Sequence, residues 1–223
     1  MKTKRAALWK IGAVGLSGLL ASLVGGQAFG GTIVGSAHDF STSGWSGGQI
    51  CVACHTPHNA DTTVQNAPLW NHELTQQEFT LYSSGTLDAT DIGQPAGSSI
   101  LCLSCHDGTV ALDSFGGFTG GTFMTGSAVV GLGGDLSDDH PISFTYDAAL
   151  ATTDGALANP TTGSITIGGG SDTRTGTIQE VLLISDQVQC SSCHDVHNTF
   201  TNGPRLLKIA INGSALCLTC HTK

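Results

Sequence analysis

The chain has 223 residues, enough for one domain or two small ones, and its 17 Asp+Glu outnumber 8 Lys+Arg for a formal net charge of −9 at pH 7. Setting aside residues 1–30, which hold four of the eight basic residues and no acidic one, leaves 4 − 17 = −13. Such a surface repels nucleic acid and anionic lipid and suits cationic partners, metal ions or oxidised mineral surfaces. Charged residues are only 11 % and Gly is 31 of 223, which argues against long amphipathic helices.

Residues 1–30 have the layout of a secretory signal peptide. Lys2, Lys4, Arg5 and Lys10 precede an apolar run over 11–24, and Ala28-Phe29-Gly30 fits a small-x-small cleavage signal. The run is short for a transmembrane helix, the alternative being an uncleaved anchor. No second run of spanning length follows, so residues 31–223 are expected to be exported without a membrane span. They would work outside the cell or at its surface, or alternatively in the periplasm.

His38 comes early in this part, followed by Cys51-Val52-Ala53-Cys54-His55 and then His58. Residues 59–100 are polar, with an apolar island at Ala67-Pro68-Leu69-Trp70, His72 just beyond it, and a short helix expected over 75–82. Cys102-Leu103-Ser104-Cys105-His106 comes next. Residues 113–180 lack cysteine, are rich in Gly, Thr and Ser, and contain His140. Gly116-Gly117, Gly120-Gly121, Gly133-Gly134 and Gly168-Gly169-Gly170 punctuate this stretch as turns. Short β-type runs lie at 127–132, 142–146, 164–167 and 179–184. Two readings stay open for it: a small β-hairpin insertion, or irregular coil wrapped around a cofactor. Cys190-Ser191-Ser192-Cys193-His194 with His197, and then Cys217-Leu218-Thr219-Cys220-His221, complete the chain.

Eight cysteines in an exported chain would ordinarily suggest disulfides, but here every one belongs to a Cys-x-x-Cys pair followed by histidine. Two thiols at that spacing can form thioethers with the vinyl groups of a porphyrin, and the next imidazole then lies under the iron. A Cys₄ zinc site leaves the four histidines unexplained. A thioredoxin-like motif would occur once, near a βαβ pattern. Four c-type haems are therefore expected, with His55, His106, His194 and His221 as proximal ligands. Short helices should begin at or just before these motifs.

The second axial ligand separates an electron carrier from a catalyst. Met124 is the single methionine outside the signal-type segment, so thioether ligation serves at most one haem. Five histidines remain as distal candidates: His38, His58, His72, His140 and His197. His58 and His197 each follow a proximal histidine by three residues. Neither can easily reach the far face of its own porphyrin, but each can reach a neighbouring haem. Bis-His iron has no open site and a low potential, which predicts an electron conduit and not an enzyme. The expected fold class is a multihaem cytochrome c: mostly irregular coil, short helices and a few short strands around a haem core. So small a chain would draw its core from the porphyrins, and haem-free protein would not fold.

Ala37-His38-Asp39-Phe40-Ser41, Ile50-Cys51-Val52-Ala53-Cys54-His55-Thr56-Pro57-His58-Asn59-Ala60, Leu101-Cys102-Leu103-Ser104-Cys105-His106-Asp107-Gly108-Thr109-Val110 and Val188-Gln189-Cys190-Ser191-Ser192-Cys193-His194-Asp195-Val196-His197 resemble the doubled-CXXCH multihaem c-type cytochromes of metal-reducing bacteria. The likeness covers most of 35–223, with 113–180 loosely included. It implies little secondary structure and bis-His haems in alternating stacked and T-shaped pairs along a continuous row. Haem number and chain length resemble tetrahaem extracellular filament-forming members, whose subunits join head to tail with a histidine of one on a haem of the next. Such a heterologous contact does not close and makes a fibre. Carried over, one spare histidine would act in trans, His58 being the first choice. Other cytochromes would donate electrons and external acceptors such as metal oxides would receive them. The alternatives are a monomeric periplasmic tetrahaem shuttle, a multihaem reductase with an open haem, and a zinc-binding structural protein.

Overall fold

The computed structural model describes residues 32–169 and 172–222, and the signal-type segment 1–30 lies outside them. Among the described residues the helices are α1 (Gly97–His106), α2 (Ala148–Asp154), α3 (Ile178–Val181), α4 (Cys190–Cys193) and α5 (Ala215–Cys220). The strands are β1 (Thr80–Leu81), β2 (Asp135–Leu136), β3 (Phe144–Thr145), β4 (Ile165–Gly169), β5 (Asp172–Gly176) and β6 (Gln187–Val188). They form three two-stranded sheets: β1 with β2 in parallel, and β3 with β6 and β4 with β5 antiparallel. Turns and coil make up much of the remainder, as expected for a chain rich in glycine and poor in long periodic runs. No helix among the described residues is long and apolar enough to cross a membrane.

Local chemistry sets the limits of these elements. Asp147 caps α2 by accepting from the Leu150 N–H at 2.8 Å, and Gly155 ends that helix in the left-handed region at φ 70°. Thr177 and Glu180 form a reciprocal capping box on α3. The β4–β5 ladder is reinforced across the strands by the Thr166 and Thr175 hydroxyls at 2.8 Å.

Several local expectations change. Residues 75–82 are extended, not helical. The Thr75 hydroxyl bonds Asp107 and accepts from the Gln77 N–H, while Gln94 clamps the Phe79 N–H and C=O, both at 2.9 Å. These bonds give the backbone partners that a helix would otherwise supply. Residues 127–132 form no strand; they run from within one 3-10 turn, Gly126–Ala128, to the start of another, Leu132–Gly134. Residues 179–184 begin inside α3 and not in a strand. Residues 142–146 and 164–167 do contain β3 and the start of β4.

The core also differs from the expectation. Phe144, Tyr146, Ala151, Ile167, Ile178, Val181, Leu182 and Leu183 form a buried side-chain cluster, with the β4–β5 hairpin, α2 and α3 around it. Tyr146 donates to the Ala158 carbonyl from within it. Phe79, Leu103 and Leu136 make a second, smaller cluster. Porphyrins are therefore not the sole source of apolar burial. The stretch 113–180 carries a packed hairpin, which weighs against plain coil.

Candidate haem-binding site

A single helical turn brings cysteines three positions apart onto one face. The second, third and fourth motifs use the ends of α1, all of α4 and α5. The first uses a hydrogen-bonded turn in place of the expected helix, with the His55 N–H on the Cys51 carbonyl at 2.8 Å. The same bond recurs from His194 to Cys190 at 3.1 Å and from His221 to Cys217 at 2.9 Å. The eight cysteines form no disulfide with one another. Burial, first of all, pushes Cys54 up to about 11, Cys105 to about 12 and Cys220 to about 11.

Of the four proximal candidates, His55, His106 and His194 are oriented alike. His55 Nδ1 lies 2.8 Å from the Pro68 carbonyl, His106 Nδ1 2.7 Å from that of Ala128, and His194 Nδ1 2.8 Å from that of Arg205. An Nδ1–H donated to a carbonyl leaves the Nε2 lone pair for a metal.

Three of the four also face a second histidine. The ring centres are 6.2 Å apart for His55 and His197, 6.1 Å for His106 and His38, and 6.4 Å for His221 and His140. A ligating imidazole nitrogen sits roughly 2 Å from a transition metal and about 1.1 Å from its own ring centre, so two imidazoles sharing one metal have centres about 6.2 Å apart. His140 Nδ1 is held 2.8 Å from the Pro141 carbonyl. Burial, and then the nearby His106, His194 and His197, lower His38 to about 4, so its neutral form prevails at neutral pH and keeps a lone pair for a metal.

The remaining histidines are placed differently. No histidine ring faces His194 at this spacing among the described residues. His72 is 3 % exposed, with Nδ1 2.8 Å from the Glu73 carbonyl and Nε2 3.0 Å from that of Ala111. His58 is exposed and lines a cavity of about 750 Å³ together with Trp70, His72 and Phe118.

The motifs are stitched to one another. Asn71 ties the first motif to the strip leading into His72, through its N–H to the Cys54 carbonyl at 3.0 Å and its Nδ2 to the Val52 carbonyl at 2.5 Å. Between the second and third motifs, α1 meets α4. Ser98 and Ser191 hydroxyls are 2.6 Å apart, and the Cys190 N–H donates to Ser99 Oγ at 3.0 Å. The buried Gln189 Oε1 accepts from the Ser99 N–H at 3.1 Å and from its hydroxyl at 2.5 Å. Cys102 and Cys190 are neighbours across this junction, and their mutual influence lowers Cys190 and raises Cys102. The Lys208 N–H holds the Cys193 carbonyl at 2.8 Å, and the Ala158 N–H holds that of Cys220 at 2.8 Å. Sequence reasoning singled out neither Ser99 nor Gln189, because their bond joins positions 90 residues apart.

Asp107, 1 % exposed, closes the turn after the second motif, accepting from Thr75 Oγ1 at 2.5 Å and from the Thr109 N–H at 2.8 Å. Asp107→Asn is expected to lose about 1.5 kcal/mol of stability, since an amide keeps only one acceptor oxygen and no charge. Denaturant unfolding of the haem-loaded protein measures this.

Haem fits these residues. His38 Nδ1 and Trp70 Nε1 are buried with no hydrogen-bond partner, and a cofactor bearing a metal and carboxylates supplies groups of the kind that such atoms require. A family model described as the doubled CXXCH motif matches residues 184–223, the segment holding the third and fourth motifs. No curated protein matches the chain. The matched segment supports a multihaem c-type cytochrome family, with electron transfer through covalently bound haem. Proteins of that class are generally exported.

Proposed function

We propose that the chain binds four haems c, at Cys51/Cys54, Cys102/Cys105, Cys190/Cys193 and Cys217/Cys220, and conducts electrons along them. The observation that carries this reading is the set of three opposed imidazole pairs at the spacing of a shared metal. Each pair joins a CXXCH histidine to one from outside its own motif. On this reading His197, His38 and His140 are distal ligands to the haems of His55, His106 and His221. Haem would supply a one-electron redox centre, and backbone carbonyls orient the His55, His106, His194 and His140 rings that would hold it. The contact between the second and third motifs, and the short span between the third and fourth, favour close passage of electrons from haem to haem.

The haem of His194 needs a distal ligand from elsewhere. His72 has carbonyl oxygens against both ring nitrogens, whereas His58 is exposed. This combination supports a filament in which His58 of one subunit ligates the His194 haem of the next. Such a fibre would take electrons from other cytochromes and deliver them to external acceptors such as metal oxides, which its acidic surface would attract.

The pyridine haemochrome assay should give four haems per chain, and electron microscopy of the native protein should show thin fibres. His58→Ala should abolish the fibres, keep four haems and make one of them high spin. Monodisperse wild-type particles would return the protein to the periplasmic shuttle. A high-spin haem in that monomer would return it to a reductase with an open iron.

A further inference from the structure

We infer that the haems bounded by facing histidines are electronically inequivalent, because the chain fixes their axial ring planes at different angles. This inference rests on the proposed ligation. The planes of His55 and His197 lie 13° apart, those of His38 and His106 51°, and those of His140 and His221 74°. One iron therefore has nearly parallel imidazoles and another nearly perpendicular ones.

Separate anchors set these angles. The His55 ring is pinned by the Pro68 carbonyl, and His197 lies in a turn whose N–H groups converge on Asp195, its own N–H 3.1 Å from Oδ1. His140 is pinned through Nδ1 to the carbonyl of Pro141, and a residue before proline is held in extended backbone. His221 follows α5 in extended conformation and is bridged to Leu157, with the Thr222 N–H on the Ala156 carbonyl at 2.8 Å. In the pair of His140 and His221, the His140 ring cannot turn toward the other plane without giving up its bond to the Pro141 carbonyl.

The electronic consequence follows from ligand-field symmetry. An imidazole donates π density into the iron d orbital that stands across its ring plane. Parallel rings act on the same orbital and split the two dπ levels; perpendicular rings act on one each and leave them nearly equal. A ferric low-spin iron has a single hole in these levels. The haem of His55 should therefore give a rhombic low-spin spectrum with three resolved features. The haem of His221 should give a broad low-field feature from nearly unquenched orbital moment. The haem of His106 should fall between them.

The test is low-temperature EPR of the oxidised full-length haem-loaded protein, with its haem content fixed beforehand by pyridine haemochrome. The wild type should show both the rhombic set and the broad low-field feature. His140→Ala should remove the broad feature and add a high-spin signal, leaving the rhombic set in place. His197→Ala should do the reverse. A wild-type spectrum with rhombic low-spin signals alone overturns the inference, and that result needs no variant. Loss of the rhombic set in His140→Ala overturns it equally. Failure of the underlying reading looks different: fewer than four haems per chain, or high-spin iron at these three sites in the wild type.

Discussion

Gln189→Leu lowers the unfolding free energy of the haem-loaded protein by about 4 kcal/mol, the sum expected when several buried donors lose one acceptor. Gln189 is 2 % exposed. Its Oε1 takes the Ser99 N–H, the Ser99 hydroxyl and, at 3.3 Å, the Ser143 hydroxyl, while its Nε2 donates to Gln187 Oε1 at 3.0 Å. Leucine fills similar space but accepts nothing, so the buried Ser99 hydroxyl loses its acceptor and the Ser99 N–H is left with the Ala96 carbonyl at 3.1 Å alone. The junction is also tightly fitted. Gly97 sits at φ 54°, and a Cβ there would lie 3.2 Å from Gln189 Nε2, so only glycine allows the two segments this approach. Guanidinium unfolding followed at the Soret band measures the loss. A change under about 1 kcal/mol would mean that haem contacts alone hold the second and third motifs together.

Ile167→Ala tests the other pillar of stability and should lose about 3 kcal/mol, the usual result of opening a cavity beside buried aliphatic and aromatic neighbours. Ile167 is 2 % exposed on β4 and packs in the cluster with Phe144, Tyr146 and Val181. The haem absorption should stay low spin under native conditions, because no axial histidine belongs to this cluster, although Cys220 packs against it. Thermal unfolding monitored by far-ultraviolet circular dichroism measures the shift. If the midpoint is unmoved, the porphyrins carry the fold and the side-chain cluster is incidental.

The chemistry of the motifs was plain in the sequence because it is local: two thiols and an imidazole within five positions need no knowledge of the fold. Which histidine meets which could not be read, since tertiary closure joins 38 with 106, 55 with 197 and 140 with 221. The His197 ring lies 6.2 Å from that of His55, a histidine of another motif; among the described residues His58, in the same position after His55, has no such neighbour. Residues 179–184 show a different kind of miss. Their apolar run suits strand or helix equally, and the deciding signal is a capping box that begins just upstream at Thr177 and closes on Glu180 within the run. Residues 75–82 carried no such signal. Their extended form depends on Asp107 and Gln94, which lie well beyond any local window.

The pairing of positions 55 and 197 bears on how the protein is assembled. A chain delivered amino end first presents its first motif to the attachment machinery long before residue 197 arrives. On the proposed ligation, His55 would until then lack its partner histidine for the second axial position. His58 is tethered too near His55 to reach across the ring and fill it. Maturation would then wait until the carboxyl-terminal third folds back and brings His197 to His55. Closing so long a loop is entropically costly and slow. The amino-terminal haem, first to be attached, would thus be the last to reach its final spin state.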